Sequence, residues 1–411
     1  MKRTYDVIGS GEGLSGLVAC ALLAGKGFSC LWVDTSAKEE SGHVQNNIPS
    51  LITRGFWEQG VKPILGSLDT SIIEDLQPRK VLLMQSILPG KRVNIQPEYL
   101  YNDKDLLFPR KIQKKYLSVL GKSMIKPMSL AHAPLGLIPG MEPWEKLFCS
   151  GLSRTGSINY ISYLRYMSSI MGMYTLDYGK MKDVLGSYVE RAKGDYVYAG
   201  NADYLYQGKE IKGINIQNTT LAARYYLTEK NGSRTPSDGF MFFGKCELDN
   251  EVMPVGMGDL LIVSPGSDME YPIVLSIERG SQTAMITIVT KVRVDNTLTS
   301  FTEQFSWASC MIMKRLKQII PFMDEFLVSY DAVDPFVNNT IRPWFAFNDR
   351  ISAPWIFSGK RYIKIVDRVY ACDRMKLAWL DVEGEILWGI CLANAVLKEL
   401  NRSDLITKNM I

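Results

Sequence analysis

A short apolar segment that runs into a glycine-rich turn most constrains the fold of this chain. Residues 5–16 read Tyr-Asp-Val-Ile-Gly-Ser-Gly-Glu-Gly-Leu-Ser-Gly, and Gly11, Gly13 and Gly16 fit the G-x-G-x-x-G spacing of a dinucleotide-binding βαβ unit. Such a unit needs glycine for a tight turn, for the approach of backbone amides to a pyrophosphate, and for close packing of the helix on the strand. The segment therefore predicts a strand, a phosphate-binding turn and a helix whose positive end faces a diphosphate.

The residues that follow the turn favour the same interpretation. Residues 17–24 form an apolar run suited to a buried helix, and residues 28–33 read as a second strand. Asp34 closes that strand eighteen residues after Gly16, near the separation of about twenty expected for a ribose-binding acid. A glycine-rich turn without a ligand is the alternative. The candidate cofactor-binding residues of this unit are Gly11, Gly13, Leu14, Ser15, Gly16, Asp34 and Thr35.

Composition narrows the class of protein. A chain of 411 residues, 46% of them hydrophobic, exceeds one typical core and predicts a soluble protein of two domains. No apolar run reaches the eighteen or so residues needed to span a bilayer, and no signal peptide is recognisable, so we expect a cytoplasmic protein. The seven cysteines contain no C-x-x-C pair and indicate reduced thiols, with Cys20 and Cys30 in the core. The chain has only two histidines, His43 and His132, and we therefore expect no metal site.

The distribution of charge along the chain indicates which kinds of partner the protein could bind. A net charge of +4 is too small to imply nucleic acid. Between Arg79 and Lys126, however, the chain carries eleven basic residues and three acidic ones. This basic segment is suited to a peripheral contact with an anionic membrane surface, and a solvated face is the alternative.

Hydrophobic periodicity predicts the order of elements along the rest of the chain. The predicted elements are strands at 80–86 and 92–101, helices at 143–148 and 160–173, a helix at 178–194, a β-rich region at 223–294, a long amphipathic helix at 301–320, and a final strand, loop and helix.

The carboxyl-terminal region resembles a flavoprotein family. One strand-like run ends in Ala-Cys-Asp at Asp373, and residues 382–386 read Val-Glu-Gly-Glu-Ile before a final helix. These motifs resemble those of the family that holds the phytoene dehydrogenases, the amine oxidases and the non-enzymatic Rab GDP-dissociation inhibitors. In that family the acid bonds to the ribityl and phosphate portion of the flavin, and the helix start turns its amides toward the ring, where they stabilise negative charge. The resemblance assigns Asp373 to the acid and Gly384, Glu385 and Ile386 to the helix start.

The resemblance also implies a fold and a cofactor. The helix at 178–194 looks like the family's helix before the adenine-binding strand, which places Ala202 near that site. The implied fold class is α/β, with a Rossmann-like FAD/NAD(P)-binding domain built from discontinuous segments and a second, mixed α+β substrate domain. Its boundaries are 1–65, 171–225 and 341–411 for the FAD-binding domain, and 66–170 and 226–340 for the substrate domain. FAD is the implied cofactor.

Two departures from the family pattern keep a second interpretation open. Cys372 replaces the glycine before the acid, and Ser41-Gly42-His43 stands where the family has a Gly-Gly-Arg turn. A scaffold that has lost its cofactor or its activity would tolerate both changes. No oligomeric state follows from the sequence.

Three functions are compatible with these observations. The first is a FAD-dependent oxidoreductase that moves a hydride from an apolar, isoprenoid or lipid-like, or amine substrate to flavin. The second is a non-catalytic prenyl- or lipid-binding protein on the same scaffold, and the third is an NAD-dependent reductase. Methionine- and tyrosine-rich residues between 135 and 173 favour an apolar tunnel, with an ordinary core as the alternative.

No catalytic residue is assigned, because hydride transfer to flavin often needs no protein acid or base. His43 is predicted to be an ordinary loop residue and Trp388 to belong to the core of the last helix, while Trp379 is a candidate for the substrate wall. Lys180 and Lys182 are predicted to be exposed to solvent.

Overall fold

The computed structural model describes residues 4–36, 49–95, 172–200, 202–230, 239–265, 269–294, 300–337, 363–373 and 381–406, with short pieces at 128–129, 143–144, 147, 157–158, 169, 340–341 and 346–347. Several sequence predictions fall outside these residues: His43, His132 and Trp379, most of the helices at 143–148 and 160–173, and the basic segment beyond residue 95.

The strands, in chain order, are β1 (Tyr5–Gly11), β2 (Cys30–Asp34), β3 (Pro49–Thr53), β4 (Arg79–Lys80), β5 (Met84–Leu88), β6 (Lys91–Ile95), β7 (Met128–Ser129), β8 (Ser157–Ile158), β9 (Met173–Asp177), β10 (Asp195–Tyr198), β11 (Ala202–Gln207), β12 (Glu210–Ile216), β13 (Thr219–Leu221), β14 (Ala223–Lys230), β15 (Gly239–Asp249), β16 (Leu260–Val263), β17 (Ile273–Arg279), β18 (Thr283–Arg293), β19 (Leu327–Ala332), β20 (Phe336–Val337), β21 (Thr340–Ile341), β22 (Ala346–Phe347), β23 (Ile363–Val366) and β24 (Val369–Asp373).

The helices are α1 (Leu14–Ala24), α2 (Arg54–Phe56), α3 (Lys62–Leu68), α4 (Thr70–Leu76), α5 (Tyr178–Arg191), α6 (Phe301–Ile319) and α7 (Asp381–Glu399). A π-helical segment, Trp57–Val61, joins α2 to α3, and a 3₁₀ turn covers Asn250–Val252.

A six-stranded sheet in the order β10-β2-β1-β14-β24-β23 carries the glycine-rich turn. Its first five strands are mutually parallel, and β23 joins β24 antiparallel at the edge. Helices α1, α5 and α7 pack on one face, where Leu17, Leu185 and Leu392 share one buried core. The small antiparallel sheet β11-β12-β13 covers the other face through residues such as Ile214. Because the strands are parallel, their carboxyl ends meet at one edge, beside the start of α1.

A second, larger sheet has the order β19-β15-β18-β17-β16-β5-β6, with β22 paired to β15. Helix α6 covers one face of it, because Ala308, Ile312 and Leu316 fall on one side of the helix at helical spacing and are fully buried. A third sheet joins β3, β9 and β4. The predicted division of the chain into two domains stays a prediction.

Several predicted elements are confirmed. Helix α6 spans all but one residue of the helix predicted at 301–320, and α5 fills most of 178–194. Cys20, Cys30 and Trp388 are buried, as predicted for core residues. Within the described residues, no helix has both the length and the apolar character needed to cross a membrane.

Two predicted boundaries are wrong. The strand expected at 80–86 is interrupted between β4 and β5, because the backbone amides of Leu82 and Leu83 donate to the Asp259 carboxylate instead of a neighbouring strand. Met173, placed at the end of a helix by its apolar pattern, begins β9 and pairs with Thr53 of β3.

Candidate dinucleotide site

The turn between β1 and α1 presents three consecutive backbone amides at the end of a buried helix. Strand β1 ends at Gly11, Gly13 caps α1 with an extended backbone, and every residue of α1 is buried. The first N–H groups of a helix have no partner within it and carry partial positive charge. The amides of Glu12, Gly13 and Leu14 therefore need acceptors from elsewhere in the protein.

Glu229 supplies the first acceptor. It lies near the carboxyl end of β14, one residue beyond Thr228, which pairs with Ser10 of β1. Its Oε2 accepts from the amides of Glu12 at 2.9 Å and Gly13 at 2.7 Å. A Cβ on Gly11 would occupy the position of this carboxylate, so glycine there makes room for an anion.

Glu385 supplies the second acceptor, from the first turns of α7. Its Oε2 accepts from the Leu14 amide at 2.7 Å and from the Tyr178 hydroxyl at 2.8 Å. A Cβ on Gly13 would lie 3.0 Å from Glu229 Oε1 and 3.0 Å from Glu385 Oε2. The two carboxylates thus lie on either side of Gly13 and occupy the anion-binding end of α1.

Gly16 has the packing role predicted for it. A Cβ at this position would overlap the indole ring of Trp32 on β2. The absent side chain lets α1 lie directly against β2, which aims its amino end at the edge of the sheet where β1 and β14 end.

Asp34 closes β2 as predicted, but its carboxylate is engaged by the protein itself. Oδ1 accepts from the Ser36 amide at 2.9 Å and the Ser36 hydroxyl at 2.6 Å. Oδ2 accepts from the Tyr196 hydroxyl at 2.8 Å and lies 2.6 Å from Lys182 Nζ. Two carboxylate oxygens offer about four acceptor positions, so these contacts use the full capacity of Asp34, and a ribose could bind there only by displacing one of them.

The predicted exposure of Lys182 is wrong. Its side chain is 7% exposed, and its Nζ donates to the Glu12 carbonyl at 3.0 Å as well as pairing with Asp34. Lys182 lies one helical turn after Tyr178, so both fall on the face of α5 that points toward α1. Lys180, predicted to be exposed, is exposed.

Burial also affects the acid–base behaviour of Tyr196. Loss of solvent raises the pKa of its phenol, and the negative charge of Asp34 raises it further. Tyr196 is therefore a neutral donor to Asp34 at physiological pH.

The remaining predicted site residues lie in different places. Thr35 donates its amide to the Gly11 carbonyl at 3.0 Å, which ties β2 to the turn, and Ser15 is buried inside α1. Ala202 begins β11 and packs on the six-stranded sheet, on the face opposite α1. Asp373 ends β24 in register with Lys230, and its side chain lies outside the described residues.

The three residues that the resemblance assigns to a helix start lie in the first described turns of α7. Gly384, Glu385 and Ile386 follow Asp381, the first described residue of the helix, and the residues directly before Asp381 lie outside the described ranges. All three are buried. A glycine inside a helix is a weak boundary signal, and here the helix continues through it.

The structure thus brings Gly11, Gly13, Leu14 and Glu385 together and adds three residues that sequence reasoning missed, Glu229, Tyr178 and Tyr196. Three successive backbone amides at the start of a helix, with room for an anion at Gly11 and Gly13, form a donor set that fits a diphosphate group. Two carboxylates of the chain itself occupy that position.

The chain is similar to known proteins in structure and not in sequence. No family model matches the chain, and no curated protein is significantly similar to it in sequence. Among solved structures it is similar to a putrescine oxidase, with a TM-score of 0.61 and 13% identity over 96% of this chain and 99% of the other. A cyclohexylamine oxidase from Brevibacterium oxydans gives 0.55 and 13% over 97% and 100%. A Rab GDI from Plasmodium falciparum gives 0.51 and 12% over 95% and 98%.

These similarities confirm the predicted fold class. The chain has an α/β fold similar to those of the two oxidases and the Rab GDI. At 12–13% identity the similarity concerns the fold.

Proposed function

We propose that this chain is a FAD-dependent oxidoreductase whose cofactor binds with its diphosphate at the start of α1. The observation that carries the proposal is the anion-binding arrangement of the Glu12, Gly13 and Leu14 amides on a fold shared with amine oxidases. FAD would supply the hydride acceptor. The chain would supply the backbone donors and, through Gly11 and Gly13, the room for an anion.

Binding of FAD requires a rearrangement that the contacts define. The Glu229 and Glu385 carboxylates must turn away from the amides before phosphate oxygens can replace them. Asp34 must also exchange a contact with Lys182, Tyr196 or Ser36 for one with a ribose hydroxyl.

We propose that the substrate belongs to one of two classes, an apolar, isoprenoid-like or lipid-like molecule or an amine. The apolar class is supported by the methionine- and tyrosine-rich sequence between 135 and 173, most of which lies outside the described residues. Amine substrates are supported by the names of the two oxidases with similar folds, which act on putrescine and cyclohexylamine. The basic segment would bring the protein to anionic membranes, which fits a lipid-like substrate.

A second candidate is a non-catalytic binding protein on the same scaffold. It is favoured by the two glutamates that already fill the diphosphate position and by the Lys182–Asp34 pair beside them. The similar fold of a Rab GDI also supports this class.

Flavin binding separates the two candidates. Purified protein is examined for flavin absorption, and bound FAD is then measured by equilibrium dialysis after FAD is added. The first function predicts a yellow protein or saturable FAD uptake, and a Gly13→Leu variant with an unchanged circular dichroism spectrum should lose that uptake. Gly66→Leu in α3 is the matched control, because the nearest atom to a Cβ at Gly66 would be Cγ1 of Ile73 at 3.7 Å, an ordinary van der Waals contact. Colourless protein that takes up no FAD would contradict the oxidoreductase and favour the second candidate.

A further inference from the structure

We infer that Glu229 and Glu385 form an internal anion that competes with the dinucleotide for the start of α1. The inference rests on the proposed function, because it concerns the cofactor that this site would take. Its new content is that two side chains of the chain itself set the affinity of the site.

The contacts of the two glutamates support a competitive role. Their Oε2 atoms accept from the Glu12, Gly13 and Leu14 amides at 2.7–2.9 Å, the spacing of charge-assisted hydrogen bonds. Those amides are the donors that a diphosphate would need at a helix start. One amide cannot donate a full hydrogen bond to a carboxylate and to a phosphate oxygen at the same time. The glutamates and the diphosphate therefore cannot occupy the site together.

The charges strengthen this exclusion. A carboxylate that remained beside a bound diphosphate would repel it, and the repulsion would be strong because Glu385 is only 9% exposed and poorly screened by solvent. The lysine nearest the turn does not offset this charge, because Lys182 Nζ is held by Asp34 and by the Glu12 carbonyl. Cofactor binding therefore has to move both carboxylates away.

The two glutamates are held from different parts of the fold. Glu229 is carried by β14, beside β1, whereas Glu385 is carried by α7 and held by the Tyr178 hydroxyl of α5. Displacement of Glu385 consequently breaks a contact with α5, and displacement of Glu229 does not break it. We therefore expect each carboxylate to lower the affinity for FAD independently of the other.

Glutamine substitution tests the role directly. Glutamine keeps the shape and an acceptor oxygen for the amides and removes the charge. Dissociation constants for FAD, and for ADP as a probe of the diphosphate half alone, are measured by equilibrium dialysis for the wild-type protein, Glu229→Gln, Glu385→Gln and the double variant. Glu383→Gln is the matched control, because Glu383 is a buried glutamate of the same turn of α7 whose Oε1 accepts from the Thr53 amide at 2.6 Å.

We expect each single substitution to tighten FAD and ADP binding by about tenfold, and the double substitution by about a hundredfold. The control should change both dissociation constants by less than about threefold, because the hydrogen bond of Glu383 is to the Thr53 amide of β3 rather than to the amides that would bind a diphosphate. Thermal unfolding of every variant confirms that it is folded.

Two contrary results are distinguishable. If the wild-type protein and all variants bind FAD with the same affinity, the internal-anion inference is overturned and FAD binding itself stands. If the folded double variant binds neither FAD nor ADP, the proposed function fails together with the inference.

Discussion

The Nζ atom of Lys182 lies 2.6 Å from Oδ2 of Asp34, and the two side chains are 7% and 0% exposed. The residue that the sequence marks as a ribose-binding acid is thus neutralised inside the protein. Lys182 also donates to the Glu12 carbonyl, which links α5 to the glycine-rich turn. The same buried pair therefore stabilises the fold and holds the backbone of the glycine-rich turn in position.

Replacing Lys182 with methionine should destabilise the protein strongly. The change leaves Asp34 as a buried charge without its cation, and breaking a buried pair in this way costs about 3–5 kcal/mol. Urea unfolding measures the free energy of unfolding of the variant and of the wild-type protein. Lys180→Met on the exposed side of α5 is the control, with an expected change within about 0.5 kcal/mol. Equal stability of the two variants would show that the pair has no structural role.

Replacing Tyr178 with phenylalanine should remove a hydrogen bond to a charged group. The hydroxyl donates to Glu385 Oε2 at 2.8 Å inside the core, and such bonds contribute about 1.5–3 kcal/mol. Chemical unfolding should report that loss. Tyr206→Phe, at a side chain 46% exposed, should change the free energy of unfolding by less than about 0.5 kcal/mol. A Tyr178 variant as stable as this control would argue against the contact.

Alanine at Gly16 should destabilise α1, although alanine normally favours a helix by about 1 kcal/mol over glycine. The added Cβ would overlap the Trp32 ring and force α1 away from β2, at a cost of about 1–3 kcal/mol. Thermal and urea unfolding show whether Gly16→Ala lowers or raises the free energy of unfolding. Gly200→Ala, which adds a Cβ to open space, should be nearly neutral. Stabilisation by Gly16→Ala would mean that α1 does not pack closely on β2.

Thiol labelling should separate two cysteines of the larger sheet and its helix. Burial raises the pKa of Cys246 to about 12, and the thiolate is the reactive form. Cys310 is exposed on α6. Iodoacetamide treatment near neutral pH, read by mass spectrometry of peptides, should label Cys310 and leave Cys246 unlabelled until denaturant is added. Labelling of Cys246 in the native protein would contradict its burial.

The parts of the fold that the sequence predicts are those encoded by neighbouring residues. The spacing of Gly11, Gly13 and Gly16 determines a strand, a turn and a helix within twelve residues, residues 5–16. Helix α6 follows from apolar spacing and from a local capping box, in which Ser300 and Glu303 bond to each other's backbone amides.

The occupants of the site were not predictable in the same way. Glu229 reaches the turn only because β14 pairs in parallel with β1, and the sequence contains no local sign of that pairing. Lys182 is a charged residue near the start of a helix, for which exposure is the ordinary expectation, and its burial depends on Asp34 in a distant strand. Long-range partners, rather than local motifs, determine these two positions.

A crystal structure of the Glu229→Gln/Glu385→Gln protein grown with ADP would show which groups bind the amides at the start of α1. We expect phosphate oxygens of ADP on the amides of Glu12, Gly13 and Leu14, with both substituted side chains turned away. ADP bound elsewhere, with those amides still bonded to the side chains at positions 229 and 385, would mean that the dinucleotide does not bind at the start of α1.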